Sequence, residues 1–270
     1  MRLVTFDPFR ALGIPGARYI KPELYRDHEV LIREADWVLF PEYWQVNTLS
    51  YVWRCRLFPS LASYHLGHDK IEMTRAMEAG WPNNVPRTLI AASTPENAQR
   101  ILEALGLPLV AKVVRSSQGR GVRRIDDEAD WLAWCAREPI LYAQELLDID
   151  RDLRLVVIGR DVVAGYWRVA PEGGFLNNVA AGGAIDPAPV PGAARRLVTA
   201  MARRLRIDHA GFDVAMVGGR PMVLEFNRLF GNHGLREQGV NPGALIHQHL
   251  QSRTGNGRPR RDGGGRRRAA

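Results

Sequence analysis

A mixed α+β fold built largely from antiparallel hairpins is what this chain predicts, and three observations predict it. Two stretches of strand-forming residues fold back across glycine turns, one at Gly159-Arg160 and one after Val217; in the second, apolar residues alternate along both arms. Between strands lie segments with legible helix starts, at Asp69 and at Thr94-Pro95, and glycines that end them. The 270 residues are 46% hydrophobic, enough for a large core spread over roughly two or three lobes. Hairpins of this kind argue against an all-parallel sheet.

Taken in order, residues 1–66 mix short apolar runs such as Trp37-Val38-Leu39-Phe40 with turns and the aromatics Tyr43, Trp44, Tyr51 and Trp53. They read as a small α/β lobe whose aromatic cluster is core rather than a binding platform. Asp69 caps a helix, Glu72 closes a capping box, and Gly80 stops it. A strand covers 87–91, and the next helix has Thr94 as cap, Pro95 at its first position and Gly106 past its end. An apolar strand over 108–114 leads into the loop Ser116-Ser117-Gln118-Gly119-Arg120-Gly121 and a return strand from Val122. A helix over about 127–137, a strand over 140–146 and a hairpin of 153–158 with 162–170 follow. Residues 192–206 are helical, with Leu197, Met201 and Leu205 at four-residue spacing.

The formal charge of +8 is concentrated at one end. Residues 253–270 carry seven arginines and one acid, Asp262, which leaves +2 for the remainder. Glycine, proline and arginine dominate this tail, so it is expected to be disordered; contact with RNA or an acidic protein is one reading of its charge and a solubilising role the other. Cys55 and Cys135 are too few for a disulfide framework and lack metal-type spacing, so a reduced, cytoplasmic setting is expected. The start, Met1-Arg2-Leu3-Val4-Thr5-Phe6-Asp7, has no long apolar stretch, and no run approaches the ~18 residues of a membrane span, so no membrane partner is expected. No repeat of solenoid period is present.

The hairpin over 210–227 carries the first candidate chemistry. If Phe212, Val214 and Met216 share a face with Met222, Leu224 and Phe226, then Phe212 sits opposite Phe226 and Val214 opposite Leu224. That register puts Asp213 across from Glu225, with Asn227 two residues along the same face. It demands an odd-length connection, most simply a three-residue loop, because a two-residue Gly218-Gly219 turn would pair Asp213 with Leu224. Two carboxylates and an amide oxygen repel one another unless a cation lies between them, and all-oxygen ligation suits magnesium. A solvated outer face is the other reading.

Lys112 interrupts the apolar strand Leu109-Val110-Ala111-Lys112-Val113-Val114, where a buried charge needs an anionic partner. The Ser/Gly loop that follows presents backbone N–H groups to a phosphate. It lacks the Gly-Lys-Ser/Thr of a P-loop and leads into a strand, so neither a P-loop nor a dinucleotide fold is supported. A glycine-rich turn with an outward-snorkelling lysine is the alternative. Lys70 stands in the first turn of its helix, where the macrodipole disfavours a cation unless an anion is bound nearby. The pairs His65/His68 and His247/His249 lack a third ligand and read as structural.

In order and spacing, Lys70, Lys112, the loop 116–121, Gln144-Glu145, Asp152-Leu153-Arg154, Arg168, Asn178-Val179-Ala180-Ala181-Gly182-Gly183, Asp213 and Glu225-Phe226-Asn227 resemble the ATP-grasp superfamily. The closest sections are the RimK-type amino-acid ligases and the bacterial glutathione synthetases, over about residues 66–250. The resemblance implies two α+β lobes clasping ATP. Lobe 67–140 would carry the lysines and flap and lobe 141–250 the magnesium hairpin, with a short pre-grasp lobe over 1–66 and the tail over 251–270. It implies that Lys70 and Lys112 contact ATP phosphates beneath a flap of Ser116, Ser117, Gln118, Gly119 and Gly121. Backbone at Gln144, Glu145 and Leu146 would read adenine, with Glu145, Asp152 and Arg154 on the nucleotide. Asp213, Glu225 and Asn227 would hold two magnesium ions, and Arg168 with Asn178 would face the reacting phosphate and the acceptor carboxylate.

The implied activity is a carboxylate-amine ligation through an acyl phosphate, on an amino acid or peptide, with a protein acceptor within reach of the same chemistry. The alternative is a non-catalytic nucleotide-binding or RNA-associated protein on the same scaffold. Consistent with a ligase, no Gly-x-Ser-x-Gly elbow occurs and neither cysteine sits in a catalytic signature. Leu176 and Ala181 stand where the family often has arginine, departures that bear on an acidic-substrate pocket rather than on ATP. Arg228-Leu229-Phe230-Gly231 replaces a small-residue Ser-Pro-Gly pattern, with Arg228 a candidate to replace a lost cation.

Overall fold

The computed structural model describes residues 1–115, 121–169, 184–186 and 188–254. The chain divides into two compact units, Met1–Leu57 together with the segment from Pro242, and Phe58–Asn241.

In the first unit, β1 (Leu3–Thr5) lies between β2 (Ala17–Tyr19) and β3 (Trp37–Leu39), parallel to both, and β4 (Leu57–Phe58) follows at the edge of the sheet. β1 and β3 are buried at every residue, the pattern of parallel strands covered on both faces. Parallel pairing here qualifies the expectation of a hairpin-built fold, which holds in the second unit. Two short helices, α1 (Glu29–Glu34) and α2 (Tyr43–Asn47), accompany the sheet, and Glu42 and Gln45 form a reciprocal capping box on α2. The C-terminal helix Pro242–Thr254 belongs to this unit, although the sequence groups residues up to 250 with the last lobe. Trp37 Nε1 donates to Thr254 Oγ1 at 3.1 Å, and Gly243 lies so close to the Leu12 carbonyl that an added Cβ would meet it at 2.4 Å. Helix also continues through Thr254, so the first residues assigned to the tail are ordered. The aromatic cluster is core only in part. Trp37 is buried, whereas Trp44 and Tyr51 are exposed, Trp44 resting edge-on against Tyr25.

The second unit contains two antiparallel sheets. The first has the order β5-β8-β6-β7, from β5 (Thr88–Ala92), β6 (Leu109–Lys112), β7 (Val122–Ile125) and β8 (Ile140–Glu145). Ile101, Leu109, Ala111, Ile125, Trp131 and Leu141 form its core. β8 therefore belongs with the lysine strand rather than with the lobe that the sequence begins at 141. The helices are α3 (Leu61–Leu66), α4 (Lys70–Gly80), α5 (Pro95–Leu105) and α6 (Glu128–Cys135), and Asp69, Thr94 and Asp127 cap the last three as their side chains predict. Asp69 accepts from both Ile71 and Glu72 N–H groups.

The second sheet has the order β11-β10-β9-β12-β13, from β9 (Arg151–Ile158), β10 (Asp161–Val169), β11 (Ala184–Asp186), β12 (His209–Val217) and β13 (Arg220–Asn227). One face packs Leu153, Leu155, Val157, Trp167, Phe212, Val214, Val223 and Phe226 against α7 (Gly192–Leu205), which contributes Ala194, Val198, Met201 and Ala202. Of the predicted row, Met201 is fully buried, while Leu197 and Leu205 are partly buried against the same core. A short helix, α8 (His233–Glu237), follows β13.

The β12–β13 hairpin reaches the expected pairing by another route. Phe212 is opposite Phe226 and Asp213 opposite Glu225, yet the turn is the two-residue Gly218-Gly219, both at positive φ (54° and 80°). The odd residue lies instead at a bulge between these pairs, where Val214 meets Val223 and Leu224 is left over. Val223, not Leu224, therefore enters the core. Two glycines supply the doubly left-handed turn that matches strand twist, and the bulge restores the faces.

Candidate active site

Alternation on the second sheet places its charged residues together on the face away from α7. Asp152 and Arg154 on β9 alternate with Leu153 and Leu155, Arg168 on β10 is paired with Asp152, and Asp213 on β12 is paired with Arg154. Arg168 grips Asp152 with both ends of its fork, Nε to Oδ1 at 2.7 Å and Nη2 to Oδ2 at 2.6 Å, and its Nη2 also lies 3.1 Å from Asp213 Oδ1. Arg154 donates through Nη2 to Asp213 Oδ2 at 3.2 Å, and its Nε approaches Oδ1 at 2.6 Å. All of Asp152, Arg168 and Asp213 are buried. Burial pushes the Asp152 carboxyl up to about 6 against the pull of Arg168, and the Asp213 carboxylate adds to the rise. For Arg168 burial opposes the charge, but Asp213 and Asp152 outweigh it and hold the guanidinium above its ordinary value.

The two lysines come from other elements. Lys112 ends β6 and Lys70 begins α4, where its backbone N–H donates to the Val114 carbonyl at 3.3 Å; both residues are buried. Burial pulls the Lys112 ammonium below its ordinary value, Glu225 and Asp213 act the other way, and Lys70 works with burial. Lys112 thus feels three charges from other elements, Glu225 on β13, Asp213 on β12 and Lys70 on α4. Lys112 Nζ also lies 5.8 Å from the centre of the Tyr142 ring, whose hydroxyl is 2.6 Å from Thr74 Oγ1. Burial pushes the Tyr142 phenol up to about 12.

At the predicted metal residues, Asn227 Nδ2 donates to Glu225 Oε1 at 3.0 Å, which leaves the Asn227 carbonyl oxygen for another partner. Asp213 Oδ1 is flanked by two guanidiniums, Arg154 Nε at 2.6 Å and Arg168 Nη2 at 3.1 Å, which balance its negative charge. Among the described residues no group of three His, Cys, Asp or Glu gathers around a common point. The set is two carboxylates completed by an amide oxygen, and as an all-oxygen set it fits magnesium.

Other predicted residues fall as follows. Gln144 is buried and donates to Thr88 Oγ1 at 2.9 Å, while Glu145 turns its carboxylate to accept from Arg87 N at 2.8 Å and lines a cavity of about 350 Å³ with Glu78, Arg87, Thr88 and Met222. Leu146 follows directly on the end of β8. Gly121 closes the flap loop by accepting from Val113 N at 2.7 Å; Ser116, Ser117, Gln118, Gly119, Asn178, Leu176 and Ala181 lie outside the described residues. Arg228 stands apart from the Asp213 cluster. Its guanidinium stacks 4.5 Å over Tyr64, and its carbonyl oxygen is 2.9 Å from Nδ1 of His209, which stacks on Phe230.

Sequence reasoning missed Thr74 and Tyr142, whose hydroxyls carry no motif. One signal in the composition was available. The chain has thirty-four arginines and three lysines, and two of those three are Lys70 and Lys112. A compact ammonium is kept where a planar fork would serve less well.

The RimK-like ATP-grasp domain matches residues 68–250. The chain belongs to the RimK-like ATP-grasp family. Two relatives, a probable alpha-L-glutamate ligase of Enterobacter sp. (strain 638) and a ribosomal protein bS6–L-glutamate ligase of Escherichia coli O139:H28 (strain E24377A / ETEC), are each 31% identical over 196 residues. The alignments cover 67% of this chain, and the chain spans 65% of the length of each relative. Among solved structures, the ATP-grasp ligase PsnB, complexed with a phosphomimetic variant of its minimal precursor, Mg and ADP, is similar at a TM-score of 0.65 and 15% identity, covering 93% of this chain and 97% of that one. That likeness gives the chain the ATP-grasp fold. Among the described residues no helix is long and apolar enough to cross a membrane.

Proposed function

We propose that this family member is an ADP-forming ligase that joins an amino-acid or peptide carboxylate to an amine through an acyl phosphate. The observation that carries the reading is the placing of two buried lysines, Lys70 and Lys112, with the cross-strand carboxylates Asp213 and Glu225, both of which act on the Lys112 ammonium. Such a set matches a magnesium-bound triphosphate. Lys70 and Lys112 hold phosphate oxygens, the loop 116–121 covers them, and backbone at 144–146 reads adenine with Asp152 and Arg154 nearby. Asp213, Glu225 and Asn227 hold magnesium, two ions in this reading, which supplies charge neutralisation on the phosphates. Arg168, with Asn178, faces the reacting phosphate; Arg228, engaged by Tyr64, shapes the rim of the site.

A substrate carboxylate oxygen attacks the γ-phosphorus as the bond to ADP breaks, and an amine then displaces phosphate from the acyl carbon. Positioning and electrostatics do the catalysis, with no covalent nucleophile from the chain. A protein or peptide acceptor is supported by the name of the bS6 ligase and by the precursor bound to PsnB.

The test is magnesium-dependent ADP release on addition of amino-acid and peptide pools, with hydroxylamine to trap the acyl phosphate. Release with hydroxamate formation is expected. Calorimetric ATP binding without release in any pool would favour the non-catalytic scaffold instead.

A further inference from the structure

α7 has two unlike sides. Ala194, Val198, Met201 and Ala202 seat it on the sheet, while the rest of its surface carries Arg195, Arg196 and Arg203 toward one groove, with Arg204 on the other flank and Arg206 at its end. Residues 192–206 hold five arginines and no acid. Since residues 1–252 sum to +2, the rest of the body without this segment is net −3. The folded body therefore concentrates its positive charge on one helix.

Packing does not ask for this concentration, because the apolar side makes the contacts. Helix electrostatics disfavours half of it. α7 starts after Pro191 with no side-chain cap and no acid in its first turn, so Arg195 and Arg196 stand near the positive end of the macrodipole without a counter-charge on the helix. The groups are also held in place. Arg195 Nη1 donates to the Val162 carbonyl at 3.0 Å, and Arg203 donates through Nε to the Arg160 carbonyl at 3.1 Å and through Nη2 to Asp161 at 2.5 Å. With Arg196 and Thr199 they line an open groove of about 400 Å³ between α7 and the β9–β10 turn, whose one acid is Asp161.

We infer that this outer face of α7 is an RNA-docking surface that takes the phosphate backbone of a single strand. Guanidinium forks anchored by backbone carbonyls, and in Arg203 also by Asp161, present their other edge to phosphate oxygens. Arg195 and Arg203 are eight residues apart, ~12 Å along the helix, so the row meets only a short stretch of one strand. No aromatic side chain lines the groove, so the contact is to backbone and indifferent to base sequence. Residues 255–270 add six arginines and one acid in a glycine-rich context, the composition of segments that track single strands. The face lies across the sheet from the Asp213 cluster, so the inference stands whether or not the ligase reading does.

The test uses the full chain and a labelled uridine 20-mer, with affinity read by anisotropy over a salt series. Each neutralised contact to a single strand contributes about 0.7 to the slope of log affinity against log salt. Arg195→Ala/Arg196→Ala/Arg203→Ala should lose about two from that slope and about tenfold or more in affinity at low salt. The charge-matched control Arg18→Ala/Arg33→Ala/Arg100→Ala should lose less than threefold. Photocross-linking of 4-thiouridine RNA to the unsubstituted chain should label peptides from 192–206. Equal losses in both triples, or cross-links confined to 255–270, would overturn the proposal. So would polyglutamate of matched length binding as tightly as RNA with the same dependence on the α7 arginines, which would make the face an acidic-peptide surface.

Discussion

On β9, Leu153, Leu155 and Val157 are fully buried against α7, while their neighbours Asp152 and Arg154 point to the other face and into ion pairs. The same division runs through Trp167 and Arg168, and through Phe212 and Asp213. Both faces are dry: Arg168 is 5% exposed and Asp213 7%, little different from Trp167 at 7%. What differs is the reason for burial. Apolar burial stabilises each large side chain by about 1.5–3 kcal/mol, whereas buried ion pairs seldom stabilise more than an apolar replacement of the same shape. Four interlocked charges, three of them buried, thus stand where aliphatic residues would pack, the expected mark of a face selected for binding under the proposed function.

The largest predicted effects test this contrast directly. Lys112→Ala should lower ATP turnover by at least ~10²-fold, as loss of a preorganised charge contact does, and weaken nucleotide binding by calorimetry. Its melting temperature should hold or rise, because a desolvated ammonium is removed. Phe212→Ala, on the opposite face, should instead cost about 3–5 kcal/mol of stability in denaturant unfolding. If Lys112→Ala unfolds as readily as Phe212→Ala, or binds nucleotide unchanged, the lysine belongs to the structure and the two faces do not divide as argued.

The division was legible in the sequence wherever it followed from local pattern. Alternation around Asp213 and Glu225 puts both carboxylates on one face, and caps at Asp69 and Thr94 place two helices. What failed was arithmetic that depends on backbone irregularity. A bulge at Leu224 carries no residue signature, so alternation alone puts the odd residue in the turn and Leu224, not Val223, in the core. Long-range partners were also hidden. Nothing local announces that Arg168 meets Asp152, that Tyr142 lies beneath Lys112, or that the helix after Pro242 packs with the first fifty-seven residues. Such pairings are set by topology, which sequence pattern constrains only through short connections.

A smaller effect separates a buried acid of the scaffold from those of the charged face. Asp208 accepts from Ser60 N at 2.7 Å and ties the start of α3 to the start of β12. Burial pushes its carboxyl up to about 6, against the hydrogen bonds from Ser60 and Ser63. An acid whose folded value lies above its unfolded value, near 4, binds its proton more tightly in the folded chain. Its penalty is absent below about pH 4 and complete above about pH 6. Asp208→Asn keeps an acceptor for Ser60 N and never ionises, so its melting temperature relative to the unsubstituted chain should climb between pH 4 and 6 and level off above. A difference that stays flat, or falls as pH rises, would mean that the carboxylate is stabilised in place. ATP turnover at neutral pH should change little, in contrast to any substitution at Asp213.

The smallest effect concerns the turn that sets which residues reach which face. Gly218 and Gly219 both adopt positive φ and nothing lies within 4 Å of a Cβ built on either. The two-residue turn with both centres left-handed accepts asparagine at its first position and prefers glycine at its second. Gly218→Asn should therefore keep the register and narrow the unfolded ensemble, stabilising the chain by about 0.5 kcal/mol in denaturant unfolding. Gly219→Val places a β-branched residue at positive φ and should destabilise it by about 1–3 kcal/mol. Because the bulge at Leu224 rather than the turn aligns Asp213 with Glu225, Gly218→Asn should leave magnesium-dependent turnover unchanged. A loss of turnover at full stability would show that the turn, and not the bulge, holds the two carboxylates in register.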